Sequence, residues 1–200
     1  MGELDEIEPA LQRHSAALEL GCGNGRLCKR MMDLGIQVTG VDESPEMLAQ
    51  LPPGVEGVLS SIEKLSLGRS WPAVLLPSHL INHPDRAVRG ALLAAARRHT
   101  RAAGTFFVNR HDPEWLATVK SGTVGKSHQV SYHAEQVTRV GNQVTMTLHY
   151  EASGKTWTQS FSTTSLSEEE IEDHLREHGF GQFAWYGSKK LWVSATASLA

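Results

Sequence analysis

The residues best suited to chemistry surround one glycine-rich stretch. Glu19 is followed by Gly21, Gly23 and Gly25 at alternate positions, and Asp42 lies 21 residues after Gly21. Glycine tolerates positive φ and has no Cβ to obstruct a ligand that approaches the backbone. A carboxylate about 20 residues further on, at the end of the next strand, is typical of a group that accepts hydrogen bonds from ribose hydroxyls. These residue types and spacings predict a site for a ligand that carries a ribose.

The surrounding pattern predicts the elements that position these residues. The apolar run 16–20 reads as a buried strand, 26–34 as a helix after the glycine turn, and 36–42 as a second strand that ends in Asp42. The first turn of such a helix presents unpaired N–H groups and the positive end of its dipole to a ligand on the turn. The sequence therefore predicts a nucleotide-binding βαβ unit.

The glycine spacing distinguishes between nucleoside cofactors. A dinucleotide site requires G-x-G-x-x-G, but the sixth position counted from Gly21 is Arg26, and Gly25 comes one residue early. This disfavours a nicotinamide-dependent enzyme. An acid, any residue and then Gly-x-Gly-x-Gly resembles the first motif of the class I S-adenosylmethionine-dependent methyltransferases. Asp42 stands where that family has its ribose-binding acid.

The resemblance implies a Rossmann-like fold that binds S-adenosyl-L-methionine, with Glu19 near the amino group of the cofactor and the glycine turn under its methionine and ribose portions. Ser61 stands where the family often has an Asp that accepts from the adenine amino group, and Trp71-Pro72 stands where Phe-Asp is common. We expect Ser61, backbone groups and Ile62 to hold the adenine instead. The cofactor-binding residues that we predict are Glu19, Gly21, Cys22, Gly23, Asn24, Gly25, Asp42, Glu43, Ser61, Ile62 and Pro77.

The rest of the chain continues an α/β rhythm. Strands are predicted at 55–59, 72–76 and 105–109, helices at 85–98 and from Ser167 to about His178, and a closing hairpin over 180–186 and 191–196. Together with the resemblance, this predicts one class I domain over 1–200. Its fold is α/β, a Rossmann-like doubly wound seven-stranded sheet that is mostly parallel with one antiparallel strand.

A segment after the fifth strand interrupts this rhythm. Residues 143–151 alternate apolar and polar, and the turn signals Gly141-Asn142 and Ser153-Gly154 flank them. We predict a small antiparallel β insert, a three-stranded meander over 128–163. It is expected to serve either as a substrate lid or as a dimer element.

Methyl transfer requires an aligned acceptor and, for a weakly acidic acceptor, a general base. The candidate bases are His111, His79 and His83, on the loops after strands five and four, and His111 is preferred because it directly follows a strand end. For each of them, a loop-packing role is the alternative. Arg110 or Asp112 is a candidate for holding a charged acceptor. The aromatic residues of the insert are expected to form an acceptor pocket or its own small core.

Composition limits the partners. The formal net charge of −3 gives no general affinity for nucleic acid, and no segment is long and apolar enough to span a membrane. Cys22 and Cys28 match no metal spacing and are expected to be reduced packing residues in a cytoplasmic protein without a metal.

The predicted function is methyl transfer to a small-molecule acceptor, with a homodimer as one option. A non-catalytic S-adenosylmethionine-binding scaffold is the alternative. A nucleic-acid base methyltransferase ranks lower, because 76–79 lacks the motif that such enzymes commonly show after strand four.

Overall fold

The structure is a computed structural model that describes residues 3–127 and 130–199. It divides into two compact units. The first comprises residues 1–81, 85–110 and 168–200, and the second comprises 82–84 and 111–167. Across the described residues, no helix has both the length and the apolar character needed to cross a membrane.

The first unit is built on a seven-stranded sheet. Its strands in chain order are β1 (Ala16–Leu20), β2 (Gln37–Asp42), β3 (Glu56–Leu59), β4 (Trp71–Leu76), β5 (Thr100–Asn109), β10 (Phe180–Tyr186) and β11 (Trp192–Ala197). Their spatial order is β10-β11-β5-β4-β1-β2-β3. The pairs among β1 to β5 are parallel, whereas β11 is antiparallel to both β5 and β10. The predicted sheet, with one antiparallel strand, is confirmed.

Helices and one 3₁₀ turn precede or connect these strands. They are α1 (Glu8–Leu11), α2 (Arg26–Asp33), α3 (Pro45–Leu48), a 3₁₀ turn (Leu80–Asn82), α4 (Arg86–His99) and α6 (Glu168–Glu177). The predicted N-cap of α3 is present, since Ser44 Oγ accepts a hydrogen bond from Met47 N at 3.2 Å. These connections bring the carboxyl ends of β1 and β2 to one edge of the sheet.

A buried apolar cluster holds the glycine turn to the sheet. Cys22, Leu27, Cys28 and Met31, on the turn and on α2, pack among core residues that include Val38 of β2. Burial of this apolar surface stabilises the position of the turn. The residues before and after Gly25 are therefore fixed by the core.

The second unit contains a four-stranded antiparallel sheet and one helix. Its elements are α5 (Pro113–Thr118), β6 (Val124–Ser127), β7 (Val130–Val140), β8 (Gln143–Ala152) and β9 (Lys155–Thr164), with the strands in the order β6-β7-β8-β9. The inner faces of the strands supply a small core of their own with Leu116 and Val119.

The predicted antiparallel sheet is confirmed: β7, β8 and β9 form a three-stranded meander at the predicted place, and β6, which precedes residue 128, adds a fourth strand that was not predicted. Strand β6 was missed because Val124-Gly125-Lys126-Ser127 contains two poor strand formers and no alternation. Its conformation depends on pairing with β7. Residues 128 and 129, at the start of the predicted insert, lie outside the described residues.

Candidate functional site

The glycine turn is tied to the end of β2 by hydrogen bonds from backbone and side chain. Gly21 N and Cys22 N both donate to Val41 O, at 2.8 and 2.9 Å. Asp42 Oδ2 accepts from Gly23 N at 2.8 Å. Gly21, Gly23 and Gly25 have φ of 78°, 54° and 80°, in the left-handed region that only glycine adopts at little cost. The predicted turn is therefore bound directly to the predicted acid.

Asp42 connects two further segments of the site. Its Oδ1 accepts from Ser44 N at 2.9 Å, and its backbone carbonyl accepts from Ser60 N at 3.0 Å. Each carboxylate oxygen has capacity for a second hydrogen bond. Asp42 therefore organises the turn and retains acceptor capacity for ribose hydroxyls. Glu43 follows it in an exposed position.

The three glycines have different surroundings. A methyl group at Gly25 would lie 2.6 Å from Pro52 Cδ, whereas one at Gly23 would meet no heavy atom within 4 Å. One at Gly21 would lie 3.2 Å from Leu80 Cδ1 and 3.6 Å from Ile62 Cδ1. Gly25 is thus required by packing, and Gly23 faces open space that a ligand can occupy.

Ser61 supplies a polar group that fits the cofactor. Its Oγ is buried and has no hydrogen-bond partner within the described part of the chain. A buried hydroxyl without a partner is costly, and a ligand that bonds to it removes that cost. Ile62, predicted to contact the adenine, lies beside Gly21. The residues at this edge of the sheet therefore fit an adenosyl group with a ribose.

Glu19 is the most perturbed acid of the site. It is 1% exposed, and burial raises its pKa to about 8, while a hydrogen bond from Cys28 Sγ at 2.9 Å opposes the rise. The Cys28 thiol pKa is raised in turn by its contact with Cys22, by burial and by Glu19. Both thiols are buried and free, so they pack rather than react.

The remaining predicted cofactor residues lie around the same turn. Asn24 is exposed between Gly23 and Gly25, and Pro77 is buried directly after β4. Leu80 was not predicted, although it contacts the Gly21 position and lies three residues after Pro77. An apolar residue on the loop after β4 is the sequence signal that would have identified it.

The loop after β4 has an unusual backbone. Ser78 and His79 have φ of 61° and 58°, although neither is glycine. Asn109, buried at the end of β5, accepts a hydrogen bond from His79 N through Oδ1 at 2.9 Å. Left-handed non-glycine residues cost roughly 1 to 2 kcal/mol each and are often found at functional loops. Sequence reasoning missed Asn109, whose signal is an amide that ends an apolar strand.

Of the three candidate histidines, the structure places His79 in the first unit, which carries the glycine turn. Burial lowers its pKa, and the Glu3 carboxylate partly opposes the change. His79 is therefore held as the neutral imidazole, the form that accepts a proton.

His83 and His111 belong to the second unit. The His111 ring stacks on Trp115 and Phe161, with centroid distances of 6.0 and 6.2 Å, and its backbone N donates to Asn82 Oδ1 at 2.9 Å. Asn82 also donates through Nδ2 to Thr164 O at 2.8 Å. His111 thus occupies a well-defined position within its own unit.

The alternative acceptor-holding residues have structural roles. Arg110 is 5% exposed, donates through Nε to Lys190 O and lies over the Trp185 ring at 4.8 Å. Asp112 caps α5 by accepting from the Glu114 and Trp115 backbone N–H groups. Both side chains stabilise local structure.

The aromatic residues considered for an acceptor pocket all lie in the second unit. Trp115, Tyr150 and Phe161 pack against the small core of the second unit, and Trp157 is 46% exposed and stacks on Tyr150 at 5.3 Å. An open cavity of about 390 Å³ lies on the four-stranded sheet of the second unit, and Tyr150, Trp157 and His149 are among its lining residues.

Among the residues that the structure describes, no cluster of three His, Cys, Asp or Glu could hold a metal.

The strand order and the Asp42-bound glycine turn define the class: this is the fold of the S-adenosylmethionine-dependent methyltransferases. Residues 17–104 match the family model described as a methyltransferase domain. The matched residues include the glycine turn, Asp42, Ser61 and the loop after β4. The predicted resemblance to the methyltransferases is therefore confirmed over this segment.

Solved structures match nearly the whole chain. CalS10, an amino pentose methyltransferase from Micromonospora echinaspora solved with S-adenosylmethionine, is 21% identical with a TM-score of 0.74, and the match covers 96% of this chain and 89% of that one. The sugar N-methyltransferase KedS8 from Streptoalloteichus sp ATCC 53650 is 17% identical with a TM-score of 0.76, covering 98% and 89%.

The CcbJ methyltransferase from Streptomyces caelestis is 19% identical, again with a TM-score of 0.76, covering 100% of this chain and 97% of that one. At these identities, the three matches establish the fold. No curated protein matches the chain by sequence.

Proposed function

We propose that this protein transfers the methyl group of S-adenosyl-L-methionine to a small-molecule acceptor. The observation that supports the proposal is the glycine turn, which donates a hydrogen bond to Asp42 and has free space beside Gly23. The residues next to this turn fit an adenosyl group. When bound, the cofactor supplies a methyl group on a sulfonium that is already a good leaving group. The chain's own residues have to hold the two reactants, exclude water and accept a proton.

Each predicted cofactor contact has a physical basis. The second lone pairs of the Asp42 carboxylate accept from the ribose hydroxyls, and Ser61 Oγ bonds to the adenine edge. Ile62 and Leu80 form apolar walls beside Gly21. Glu19 lies on β1, two residues before Gly21. A nearby ammonium group would lower its raised pKa and so convert it from the acid to the carboxylate.

An amine on a sugar is the acceptor to test first. The matched solved structures include proteins described as an amino pentose methyltransferase and a sugar N-methyltransferase. An amine acceptor loses a proton when it is methylated, so a neutral imidazole nearby assists the transfer.

We propose His79 as that base, because it shares a unit with the glycine turn and its pKa is lowered by burial. The sequence-based preference for His111 stays a prediction. A His79→Gln variant that keeps its cofactor affinity but loses turnover, and loses the acidic limb of the pH–rate profile, would support His79. The same result from His111→Gln would transfer the role to His111.

The proposal extends to partners and location. We expect no nucleic-acid substrate, since the net charge is −3 and the basic residues at the end of α4 bond within the protein, Arg97 to Gly179 O and Arg98 to Leu65 O. Two free, buried cysteines favour the cytoplasm. The insert predicted over 128–163 is proposed to shape the acceptor site or to form a dimer contact.

The deciding experiment is calorimetric titration of the purified protein with S-adenosylmethionine, S-adenosylhomocysteine and NAD, followed by transfer of labelled methyl to amino sugars. Micromolar binding of the first two ligands and none of NAD is expected, with transfer to at least one amine. Asp42→Ala should weaken binding, and Asp33→Ala, which removes an exposed carboxylate on α2, is the matched control. Binding without transfer to any acceptor would favour the scaffold alternative.

A further inference from the structure

The loop between β3 and β4, residues 60–70, carries Ser61 and Ile62, which are proposed to hold the adenine. The loop is neither helix nor strand, so its conformation depends on hydrogen bonds outside the regular elements. After the adenine contacts it turns back on itself, and Leu65 N donates to Ile62 O at 3.1 Å. Whatever holds the loop at this turn therefore also positions the adenine contacts.

Two consecutive side chains at the end of α4 hold the 60–70 loop. Arg98 Nη2 donates to Leu65 O at 2.9 Å, and His99 Nε2 accepts from Leu67 N at 3.2 Å. The Leu65 side chain is itself buried in the core. The loop is thus fixed to α4 at two places within five residues of Ile62.

His99 makes its contacts only as the neutral imidazole. The residue is buried, its Nδ1 lies 2.7 Å from Ala95 O, and its Nε2 accepts from Leu67 N. Because a carbonyl oxygen can only accept, Nδ1 carries the proton and Nε2 is the acceptor. A second proton, on Nε2, would remove that acceptor and set one N–H group against another. Protonation of the ring therefore breaks the hydrogen bond to the loop.

The surroundings of the His99 ring oppose this second proton. Burial and the Arg98 guanidinium lower the pKa of His99 from its usual 6.5, while the hydrogen bond to the α4 backbone partly opposes the change. On the side of β4, Trp71 lies 6.2 Å from the ring between centroids, and Arg69, which pairs with Glu56, lies over that indole. The charged side chains of the loop are exposed to solvent: Glu63, Lys64 and Arg69. Because the pKa is lowered in the folded state, the contact is present above pH 6.5 and is lost as the pH falls through the folded-state value.

We propose that neutral His99 is a positioning residue for the cofactor: it holds the 60–70 loop against α4, and protonation of its ring releases the loop, so that S-adenosylmethionine binds less tightly in acid. The inference rests on the proposed function, since it takes the adenine to bind at Ser61 and Ile62. His99 acts through the loop backbone at Leu67.

The test measures the calorimetric affinity of the full-length protein for S-adenosylmethionine at pH 7 and pH 5. His99→Gln supplies an amide oxygen that can accept from Leu67 N but does not titrate. It should bind like the wild type at pH 7 and lack the additional weakening, about 3- to 10-fold between the two pH values, that one linked proton causes in the wild type. His99→Leu leaves Leu67 N without its acceptor and should bind about 3- to 10-fold more weakly already at pH 7.

His178→Gln is the matched control. His178 directly follows α6, and its Nδ1 lies 2.7 Å from His174 O, the same contact four residues back that His99 makes with Ala95. Its substitution should leave the pH dependence of the wild type unchanged. Circular dichroism at both pH values establishes that each variant is folded.

Hydrogen exchange of the ligand-free proteins at pH 7 gives a readout that does not involve the cofactor. Amides of the 60–70 loop should exchange faster in His99→Leu than in the wild type and His99→Gln. Equal exchange in all three would overturn the anchoring of the loop by His99. A wild type that binds S-adenosylmethionine with the same pH dependence as His99→Gln would overturn this inference alone, whereas a wild type that does not bind it at pH 7 would overturn the proposed function as well.

Discussion

Glu19 gives the free protein a specific dependence of stability on pH. Because burial raises its pKa to about 8, the folded protein holds a proton on Glu19 at neutral pH, whereas the unfolded chain, with a pKa of 4.5, does not. The folded state therefore binds more protons, and stability decreases as pH rises. The contribution is fully present below pH 4.5 and is lost as pH rises through about 8.

The magnitude follows from the two pKa values. Their difference corresponds to about 5 kcal/mol of unfolding free energy when it is fully developed. About 1.6 kcal/mol of this loss falls between about pH 6.5 and pH 8, where proteins are readily studied. Glu19→Gln has nearly the same shape and cannot ionise, so its unfolding free energy lacks this decrease.

The assay is urea unfolding followed by tryptophan fluorescence at pH 6.5, 7, 7.5 and 8, for wild type and Glu19→Gln. The range begins at the ordinary histidine pKa because burial lowers the pKa values of His14, His79, His99 and His174. Those groups make stability rise with pH up to about 6.5. Parallel profiles for the two proteins would refute a protonated Glu19.

Release of the proton from Glu19 also provides a test of how the cofactor binds. If the ammonium group of S-adenosylmethionine lies near Glu19, its charge favours the carboxylate, and binding at pH 7 should release about 0.9 proton from a group with a pKa near 8. Calorimetry in two buffers of different ionisation enthalpy measures this release. It should be absent in Glu19→Gln. Equal proton exchange in both proteins would exclude this position for the ammonium group.

Substitutions at four positions, Asp42, Gly23, Gly25 and Asn109, test other parts of the site. Asp42→Ala should weaken S-adenosylmethionine binding by about 1.5 to 3 kcal/mol and also destabilise the fold, since two backbone N–H groups lose their acceptor; unchanged calorimetric affinity would refute the ribose role. Gly25→Ala should lower the unfolding free energy by about 1 to 3 kcal/mol more than Gly23→Ala, because only the former collides with Pro52; equal urea midpoints would contradict this. Asn109→Ala should reduce methyl transfer while leaving cofactor affinity nearly unchanged. Asn109→Asp keeps an acceptor for His79 N in the loop after β4, so it should retain methyl transfer. Loss of methyl transfer in both variants would contradict the hydrogen-bond explanation.

The sequence predicted the parts of this fold that depend on local pattern. Apolar runs bounded by glycine and an acid located β1 and β2, and Ser44-Pro45 located the start of α3. β6 could not be found this way, since Val124–Ser127 becomes a strand only by pairing with β7. Strand propensity is weak where partners supply the stability.

The electrostatics of the site were also beyond sequence pattern. Sequence pattern singled out Glu19 by type and position, but it could not show that complete burial raises the Glu19 pKa or that the Cys28 thiol, nine positions later, opposes the rise. Likewise, nothing in Pro77-Ser78-His79 indicates two successive left-handed residues, because their conformation depends on Asn109 from another strand. Such features arise from long-range contacts, which spacing along the chain does not encode.

The position of Asp42 explains why one acid can both build the site and serve it. Its carboxylate accepts hydrogen bonds from the N–H groups of Gly23 and Ser44, and its carbonyl accepts one from Ser60 N. The neighbouring Ser61 hydroxyl has no hydrogen-bond partner among the residues that the structure describes. The turn, the start of α3 and the end of β3 are thus fixed relative to one residue before any ligand arrives. Because these groups are already ordered, the protein loses little further conformational entropy when a ribose bonds to Asp42. Asp42 at the end of β2 therefore holds three segments in place, and the remaining lone pairs of its carboxylate are available to the ligand.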